Sequence, residues 1–266
     1  MVIGCIGCGN MGGALLAGLL RSAPQGSRFC AYTRTPERLA QLEAQGVRRL
    51  QNALEVAKEA DLLLLCVKPA QVAAVLREIA EALTEDKVLL SVAAGISLEV
   101  LARGSGGRCC LVRCMPDTPA LVGKGVFAFA FSASCSRERA ETILALFRNL
   151  GLCFEMPESQ FAAFSALIGA GPAYVFAMMQ ALCQAGVTLG FSHESSRKMV
   201  QALVEGCAVM AEKSPEHLAR LKDNVCSPHG LTIDGVNVLD RRGFSGILID
   251  AVLAANARGL AMEKEA

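Results

Sequence analysis

The chain has 266 residues, 53% of them apolar, and its 26 basic and 25 acidic side chains leave a net charge of +1. This composition supports a folded core and excludes a disordered chain. The balanced charge provides no excess of positive charge that would bind nucleic acid or an anionic membrane surface. Small charged metabolites are therefore the expected partners.

The chain begins with an apolar strand that runs directly into a glycine-rich turn. The strand covers residues 2–6, the turn has the sequence Gly-Cys-Gly-Asn-Met-Gly over residues 7–12, and an apolar-faced helix follows over 14–20. The three glycines allow a tight turn, a close approach of the backbone to a pyrophosphate, and close packing of helix on strand. The first N–H groups of the helix favour a phosphate. This segment predicts a dinucleotide site with contacts from Gly7, Gly9, Asn10, Met11 and Gly12.

Strand and helix signals alternate from there to about residue 157. We expect strands at 29–32, 62–67, 88–92, 110–114, 126–131 and 152–154, and helices at 36–45, 71–83 and 137–149. This alternation is typical of a parallel sheet with helices on both faces. We therefore predict an α/β, Rossmann-type dinucleotide-binding domain over residues 1–157.

The residues that follow the second strand bear on the choice of cofactor. NAD-binding folds commonly place an acid there, on the ribose 2′-hydroxyl, whereas this chain has Arg34, Thr35 and Arg38. Guanidinium groups form charge-assisted pairs with phosphate oxygens, which favours NADPH over NADH. Glu37 is the residue that argues for NADH, and the two arginines also suit solvated positions at a helix start.

The ends of later strands supply further candidate contacts, because ligands of open α/β sheets bind at the carboxyl edge. A proline fixes the turn after the strand at 62–67, and small residues after the strand at 88–92 leave room for a nicotinamide ring. Lys68 taken alone also fits a surface lysine. The candidates on this edge are Val67, Lys68 and Pro69, then Ala94, and then Met115, Pro116 and Asp117.

The chain has 12 cysteines, which sit singly in apolar runs, as Cys66, Cys183 and Cys207 do. We expect them to be small buried side chains in a protein of the reducing cytoplasm. Cys5 and Cys8 have the spacing of a redox motif but lie in the first strand and the phosphate loop, so a redox or metal role is not favoured.

The sequence also bears on metals and membranes. The three histidines, His193, His217 and His229, are far apart in sequence and predict no metal site. The N-terminus forms a strand without the basic region or cleavage site of a signal peptide, and we expect no apolar stretch to span a bilayer.

An all-helical domain is predicted from residue 158 to residue 266. Apolar residues recur at helical spacing over 161–189, 195–212, 231–239 and 247–262, and the Gly-Ala-Gly-Pro sequence at 169–172 should kink or break the first helix. Residues 173–179 are apolar on both helical faces, which predicts a surface shared with another subunit. The alternative is a thick helix buried inside the monomer.

The interval 223–233, between two of these helices, is polar and rich in turn residues. Such an interval can present N–H groups and hydroxyls to a carboxylate. An equally simple interpretation is a capped helix start, with Ser227 as N-cap and Pro228 at the first helical position.

Five segments together resemble the pyrroline-5-carboxylate reductase family. They are residues 7–12, 67–69, 113–119, 169–176 and 223–233, and their order and spacing cover essentially the whole chain. The resemblance implies reduction of the ring imine of 1-pyrroline-5-carboxylate to L-proline with NADPH or NADH, the last step of proline biosynthesis. It also implies a dinucleotide-binding domain followed by an interlocked all-α dimerisation domain, in dimers or in decamers.

The resemblance further implies a substrate position between the nicotinamide and a helical-domain loop of the partner subunit. In this chain Ser227, Gly230, Leu231 and Thr232 would surround the substrate carboxylate, and Thr232 would also lie near the imine nitrogen. The proton would come from Thr232, from water or from bulk solvent.

Five positions depart from the family pattern. Asp117 replaces an asparagine, Ala162 an aspartate, Ile168 and Ala170 serines, and His229 a glycine. His229 lies in the expected carboxylate loop, where it would pair with the substrate, pair with Asp117, or pack outward. These departures leave two alternatives open: a reductase of a related cyclic imino acid, and a catalytically weak NADP(H)-binding homologue with a regulatory role.

Overall fold

The computed structural model describes residues 1–265, which form two compact units. One unit contains Met1–Ala170 and the C-terminal residues from Ala255 onward, and the other contains Gly171–Ala254. The functional domain boundary after residue 157 stays a prediction.

The first unit is built on a mixed sheet of eight strands. In the sheet they lie in the order β3-β2-β1-β4-β5-β6-β7-β8, whose first six strands follow the Rossmann order. The strands are β1 (Val2–Ile6), β2 (Arg28–Tyr32), β3 (Arg48–Arg49), β4 (Leu62–Leu65), β5 (Val88–Ser91), β6 (Cys110–Met115), β7 (Gly125–Phe131) and β8 (Gly151–Glu155). The predicted Rossmann-type domain is confirmed.

One strand pair corrects the expectation of a wholly parallel sheet. All neighbouring strands are parallel except β6 and β7, which pair in the antiparallel sense. The chain reverses between them through a 3₁₀ turn, Thr118–Val122, and Gly123 at φ +73°. That connection is too short for the crossover of a dozen or more residues that parallel neighbours need.

Helices cover both faces of the sheet. Apolar residues of α1 and α6 pack on one face, and those of α3, α4 and α5 pack on the other. The helix predicted over 36–45 is instead a 3₁₀ turn, Pro36–Arg38, followed by the short α2. Sequence reasoning misses β3, α3 and α5. The helices are α1 (Asn10–Ser22), α2 (Ala40–Glu43), α3 (Ala53–Glu59), α4 (Pro69–Ile79), α5 (Leu98–Ser105) and α6 (Arg137–Arg148).

From residue 158 to residue 265 the described chain contains helices and no strand, as the sequence predicts. The predicted irregularity near residues 169–172 is a π-helical stretch, Ser165–Gly169, before Gly171 and Pro172. Sequence reasoning misses α10. The helices are α7 (Phe161–Phe164), α8 (Gly171–Thr188), α9 (His193–Lys213), α10 (Leu218–Val225), α11 (Leu231–Arg241) and α12 (Phe244–Glu265).

The helices of the second unit expose much of their apolar surface. No residue of α8 is buried, and Phe176 in its middle is 64% exposed. Large apolar side chains of α9 and α12, such as Leu203 and Ile249, are exposed as well. A helix buried inside the monomer is therefore the wrong interpretation, and the exposed apolar surface supports contact with another subunit.

Two helical runs, Glu158–Thr188 and Phe244–Lys264, are long and apolar enough to cross a membrane. This corrects the expectation that no stretch qualifies by length and composition. The finding is weak evidence for a membrane protein, because helices that pack against other protein meet the same criterion.

The 12 cysteines are free, but they are not uniformly buried. Cys207 is exposed, and Cys66 and Cys183 are only partly buried, which corrects the expectation for these three. Cys5 and Cys8 are buried with their sulfur atoms 3.8 Å apart. A hydrogen bond with the Cys66 thiol raises the pKa of Cys5, and the hydrogen bond with Cys5, together with burial, raises the pKa of Cys8. A raised pKa removes the reactive thiolate, which agrees with a packing role.

Candidate dinucleotide and substrate sites

The turn after β1 is packed so closely that only glycine fits at two of its positions. Gly7 has φ +94°, and its N–H donates to the carbonyl oxygen of Tyr32 over 2.9 Å. A Cβ on Gly12 would lie 2.2 Å from the carbonyl oxygen of Gly7 and 2.8 Å from the Cβ of Cys66. The turn is thereby held against β4 and the start of α1, as the sequence predicts for a phosphate loop.

Gly9 and Asn10 lie on the accessible side of this turn, whereas Cys8 is buried. A Cβ on Gly9 would meet only the Nη1 atom of Arg38, at 3.5 Å, so the backbone here is open to a ligand and close to a guanidinium group. Asn10 is exposed and Met11 is partly buried in the first turn of α1. No described side chain caps this turn, which leaves its N–H groups available to an anion.

A cleft of about 540 Å³ opens beside this turn, where the strand order reverses between β1 and β4. Such a position is where open α/β sheets bind ligands. Glu37, the residue that argues for NADH, is exposed and does not line this cleft. The lining includes Gly7, Gly9, Arg34, Thr35, Arg38, Val67 and Lys68.

Lys68 and Pro69 also begin a helix. Lys68 is the N-cap of α4, its N–H donates to the Oε1 of Gln71 over 3.3 Å, and Pro69 is the first helical residue. The Lys68 side chain is exposed and lines the cleft, so Lys68 is not a surface lysine remote from the site.

The candidates that follow β5 and β6 lie apart from this cleft lining. Ala94 and Met115 pack in a small apolar cluster with Phe161 and Phe164. The structure therefore does not bring Ala94, Met115, Pro116 or Asp117 together with Arg34 and Lys68. Their predicted nicotinamide contacts remain predictions.

Asp117 is turned into the protein. Its side chain is 5% exposed, and its Oδ1 accepts the N–H of Val126 over 3.0 Å. Burial raises the pKa of this carboxyl, although backbone hydrogen bonds oppose the shift. The side chain therefore braces the turn between β6 and β7, and its proposed pairing with His229 stays a hypothesis.

Arg113 in β6 is the centre of a charged network that sequence reasoning misses. Its side chain is 3% exposed; Nη1 lies 3.0 Å from the Oε1 of Glu158, and Nη2 lies 2.7 Å from the Oε1 of Glu263. The guanidinium carbon also lies 4.4 Å from the ring centre of Phe161. An arginine inside an otherwise apolar strand was the only sequence signal for a buried ion network.

The predicted carboxylate loop connects α10 and α11. The N-cap of α11 is Gly230 and not Ser227, which corrects the capped-helix interpretation. Residues 228–229 form a turn that brings the Gly230 N–H within 3.1 Å of the Ser227 carbonyl oxygen. A Cβ on Gly230 would lie 2.3 Å from the Ser227 hydroxyl, so a side chain here would require that hydroxyl to rotate away.

His229 has an unusual backbone within this loop. Its φ of +56° makes it the one non-glycine residue of the described chain in the left-handed region, and its side chain is exposed. Leu231 is 95% exposed, and Thr232 is partly buried in the first turn of α11. Ser227, His229, Gly230, Leu231 and Thr232 thus lie before and within the first turn of α11, and their predicted contacts with a substrate stay predictions.

The cleft residues fit a dinucleotide. The Gly7–Gly12 contact leaves no room for a side chain, Gly9 leaves the backbone accessible, and the arginines beside it offer positive charge to phosphate oxygens. Together with the strand order, these features place the chain in the class of Rossmann-type, dinucleotide-binding oxidoreductases.

Comparisons with known proteins narrow this class. Residues 158–262 match the family model described as pyrroline-5-carboxylate reductase dimerisation, and residues 2–95 match the one described as NADP oxidoreductase, coenzyme F420-dependent. The chain is 38% identical to the pyrroline-5-carboxylate reductase of Escherichia coli (strain K12), covering 94% of each chain. It is 35% identical to the enzyme of Pisum sativum, covering 96% of this chain and 94% of the relative.

Solved structures agree. The pyrroline carboxylate reductase of Plasmodium falciparum with NADP bound superposes with a TM-score of 0.89 at 28% identity, over 99% of this chain and 98% of its own. The enzyme of Coxiella burnetii gives a TM-score of 0.89 at 30% identity, over 98% and 97%. The chain belongs to the pyrroline-5-carboxylate reductase family. Its exposed apolar helices lie mostly within the matched dimerisation region, so we attribute their surface to subunit contact.

Proposed function

We propose that this chain transfers hydride from NADPH to the C=N bond of 1-pyrroline-5-carboxylate and forms L-proline. The single observation that carries the proposal is the intact glycine cradle, with Arg34 and Arg38 beside it, in a chain related to pyrroline-5-carboxylate reductases along nearly its whole length. Reduction of a cyclic imine needs only a hydride for carbon and a proton for nitrogen. Nicotinamide supplies the hydride when the cofactor is bound.

The protein's own contribution is binding and alignment. The α1 N-terminus and the residues after β2 hold the phosphates, and the loop at 227–232 holds the substrate carboxylate through hydroxyls and N–H groups. Thr232 lies near the imine nitrogen in this proposal. Holding the two reacting carbons roughly 3–3.5 Å apart then supplies much of the rate.

Arg38 should determine the preference for NADPH. Its guanidinium lies over Gly9 in the cleft, where a 2′-phosphate would gain a charge-assisted hydrogen bond that NADH lacks. Arg38→Gln should raise the KM for NADPH about tenfold, or about 1.4 kcal/mol, and leave the KM for NADH within twofold. Steady-state kinetics with both cofactors checks this, and Glu37→Gln is the matched control. An equal rise in KM for both cofactors would mean that Arg38 does not bind the 2′-phosphate.

Thr232 should be required for turnover. Thr232→Ala removes the hydroxyl in the first turn of α11, and we expect kcat/KM for 1-pyrroline-5-carboxylate to fall about 10²-fold, as for loss of a positioned proton donor. NADPH oxidation, followed by absorbance, measures the loss. Thr232→Ser keeps a hydroxyl and should retain most of the activity. Full activity in Thr232→Ala would mean that water, and not Thr232, supplies the proton.

A related cyclic imino acid is the second candidate substrate. The observation that favours it is His229, whose left-handed backbone places an exposed imidazole in the carboxylate loop, at a position where the family pattern has glycine. A panel of five- and six-membered cyclic imines separates the two substrates. Cofactor binding without turnover of any imine would instead indicate the catalytically weak homologue.

We also infer a cytoplasmic protein that assembles through residues 158–262 into a dimer and then into a decamer. The dimerisation-family match and the exposed apolar residues of α8, α9 and α12 support the first step. Light scattering at several protein concentrations tests both steps, and a monomer would contradict them.

A further inference from the structure

We propose that Glu263, in the last turn of α12, is a positioning residue that fixes the nicotinamide-side edge of the sheet for hydride transfer. Its Oε1 lies 2.7 Å from Nη2 of the buried Arg113. The inference rests on the proposed reductase activity. It concerns contacts within the first compact unit only.

Arg113 lies at the carboxyl end of the sheet. It is two residues before Met115 in β6, so its position fixes the backbone that leads into Met115, Pro116 and Asp117. Arg113 also pairs in register with Ser91, the last residue of β5. Beyond Ser91 the chain enters residues 93–95, the predicted nicotinamide segment.

The end of α12 contacts this same segment. A Cβ on Gly95 would lie 3.5 Å from the carbonyl oxygen of Met262, the residue before Glu263. Gly95 has φ +75°, a conformation that glycine adopts without strain. The last turn of α12 therefore supports the segment after β5 directly and the segment after β6 through Arg113.

Glu158 completes the network. Its Oε1 accepts hydrogen bonds from Arg113 Nη1 over 3.0 Å and from the N–H of Leu98 over 2.9 Å, at the first residue of α5. One carboxylate thus ties Arg113 to the helix that follows the predicted nicotinamide segment. Arg113 is therefore held by two carboxylates, those of Glu158 and Glu263.

The phosphate cleft is separate from this network. Arg113, Glu158 and Glu263 do not contribute to its lining, which comes from the turn after β1, from residues 32–35 and Arg38 after β2, from Ala53, and from residues between Cys66 and Glu78. Loss of the ion pair between Glu263 and Arg113 should therefore disturb the alignment of the nicotinamide and leave the binding of the phosphates unchanged. This separation distinguishes a positioning role from a general structural one.

Glu263→Gln is the informative variant. It keeps the size of the side chain and one acceptor oxygen, and Arg113 keeps Glu158 as its counter-ion, so folding should survive. We expect the rate constant of hydride transfer in a single turnover at saturating NADPH to fall about tenfold. The Kd for NADPH should stay within twofold. Glu263→Asp should restore part of the rate, and Glu81→Gln, an exposed carboxylate before β5, is the matched control.

The single-turnover rate constant does not depend on the fraction of folded enzyme, whereas the amplitude does. A normal rate constant with reduced amplitude would overturn the proposal and assign Glu263 a structural role, and an unchanged rate and amplitude would overturn it as well. If the wild type does not reduce 1-pyrroline-5-carboxylate, the proposed function fails separately. The fluorescence lifetime of bound NADPH then decides: a change in Glu263→Gln at unchanged Kd supports positioning, and an unchanged lifetime overturns it.

Discussion

Substituting alanine for Gly12 should nearly abolish NADPH binding. The added Cβ would lie 2.2 Å from the Gly7 carbonyl oxygen and 2.8 Å from the Cβ of Cys66, and neither atom can move without a shift of the backbone. The turn must therefore shift by about an ångström, which misplaces the N–H groups that face the pyrophosphate. We expect the Kd for NADPH to rise at least about 10²-fold, measured by fluorescence titration.

Gly13 provides the matched control. It is the next residue in α1, and a Cβ there would meet no atom within 4 Å. Gly13→Ala should leave the Kd within twofold and should stabilise the helix by up to about 1 kcal/mol, because alanine has the higher helix propensity. Equal binding by Gly12→Ala and the wild type would mean that the turn does not hold the cofactor phosphates.

Replacing Arg113 by methionine should cause the largest loss of stability. The substitution leaves the carboxylates of Glu158 and Glu263 without the cation that they share. Breaking a buried pair by removing one partner costs about 3–5 kcal/mol, and both carboxylates keep some contact with water, so we expect a loss of about 2–3 kcal/mol. Urea denaturation at a fixed protein concentration measures the free energy of unfolding.

Arg137 is an arginine with a similar set of partners on the surface. It also pairs with two glutamates, Glu141 at 2.5 Å and Glu155 at 2.8 Å, but its side chain is 69% exposed. Arg137→Met should therefore cost less than about 1 kcal/mol. If both substitutions destabilised the protein equally, burial would not be what makes the Arg113 network important.

Local patterns made the phosphate loop predictable. The positive φ of Gly7 and the contact between Gly12 and the Gly7 carbonyl oxygen arise within one strand-turn-helix segment, so a local pattern predicts them, whereas the contacts of both glycines with Cys66 come from a distant part of the sequence. The short elements were harder. β3 has two residues, and α3 is preceded by its N-cap Asn52, whose side chain accepts the Glu55 N–H over 2.8 Å. Hydrophobic periodicity does not reveal such a cap.

Long-range contacts explain what sequence reasoning missed in the site. Arg113 and Glu263 are separated by 150 positions, and nothing in the local sequence of either predicts the ion pair. The sequence makes Asp117 a candidate cofactor contact, but it gives no sign that the Asp117 carboxyl is buried and accepts the Val126 N–H. The left-handed backbone of His229 follows from the turn around it, and a histidine in sequence does not signal that conformation.

The most direct test of the account is the product of the reaction. Purified protein would be incubated with NADPH and DL-1-pyrroline-5-carboxylate, and both NADPH loss and L-proline formation would be quantified, the latter by chiral chromatography. We expect equimolar amounts of NADPH consumed and L-proline formed. NADPH binding without L-proline formation would contradict the proposed activity and favour another imine or a catalytically weak binding protein.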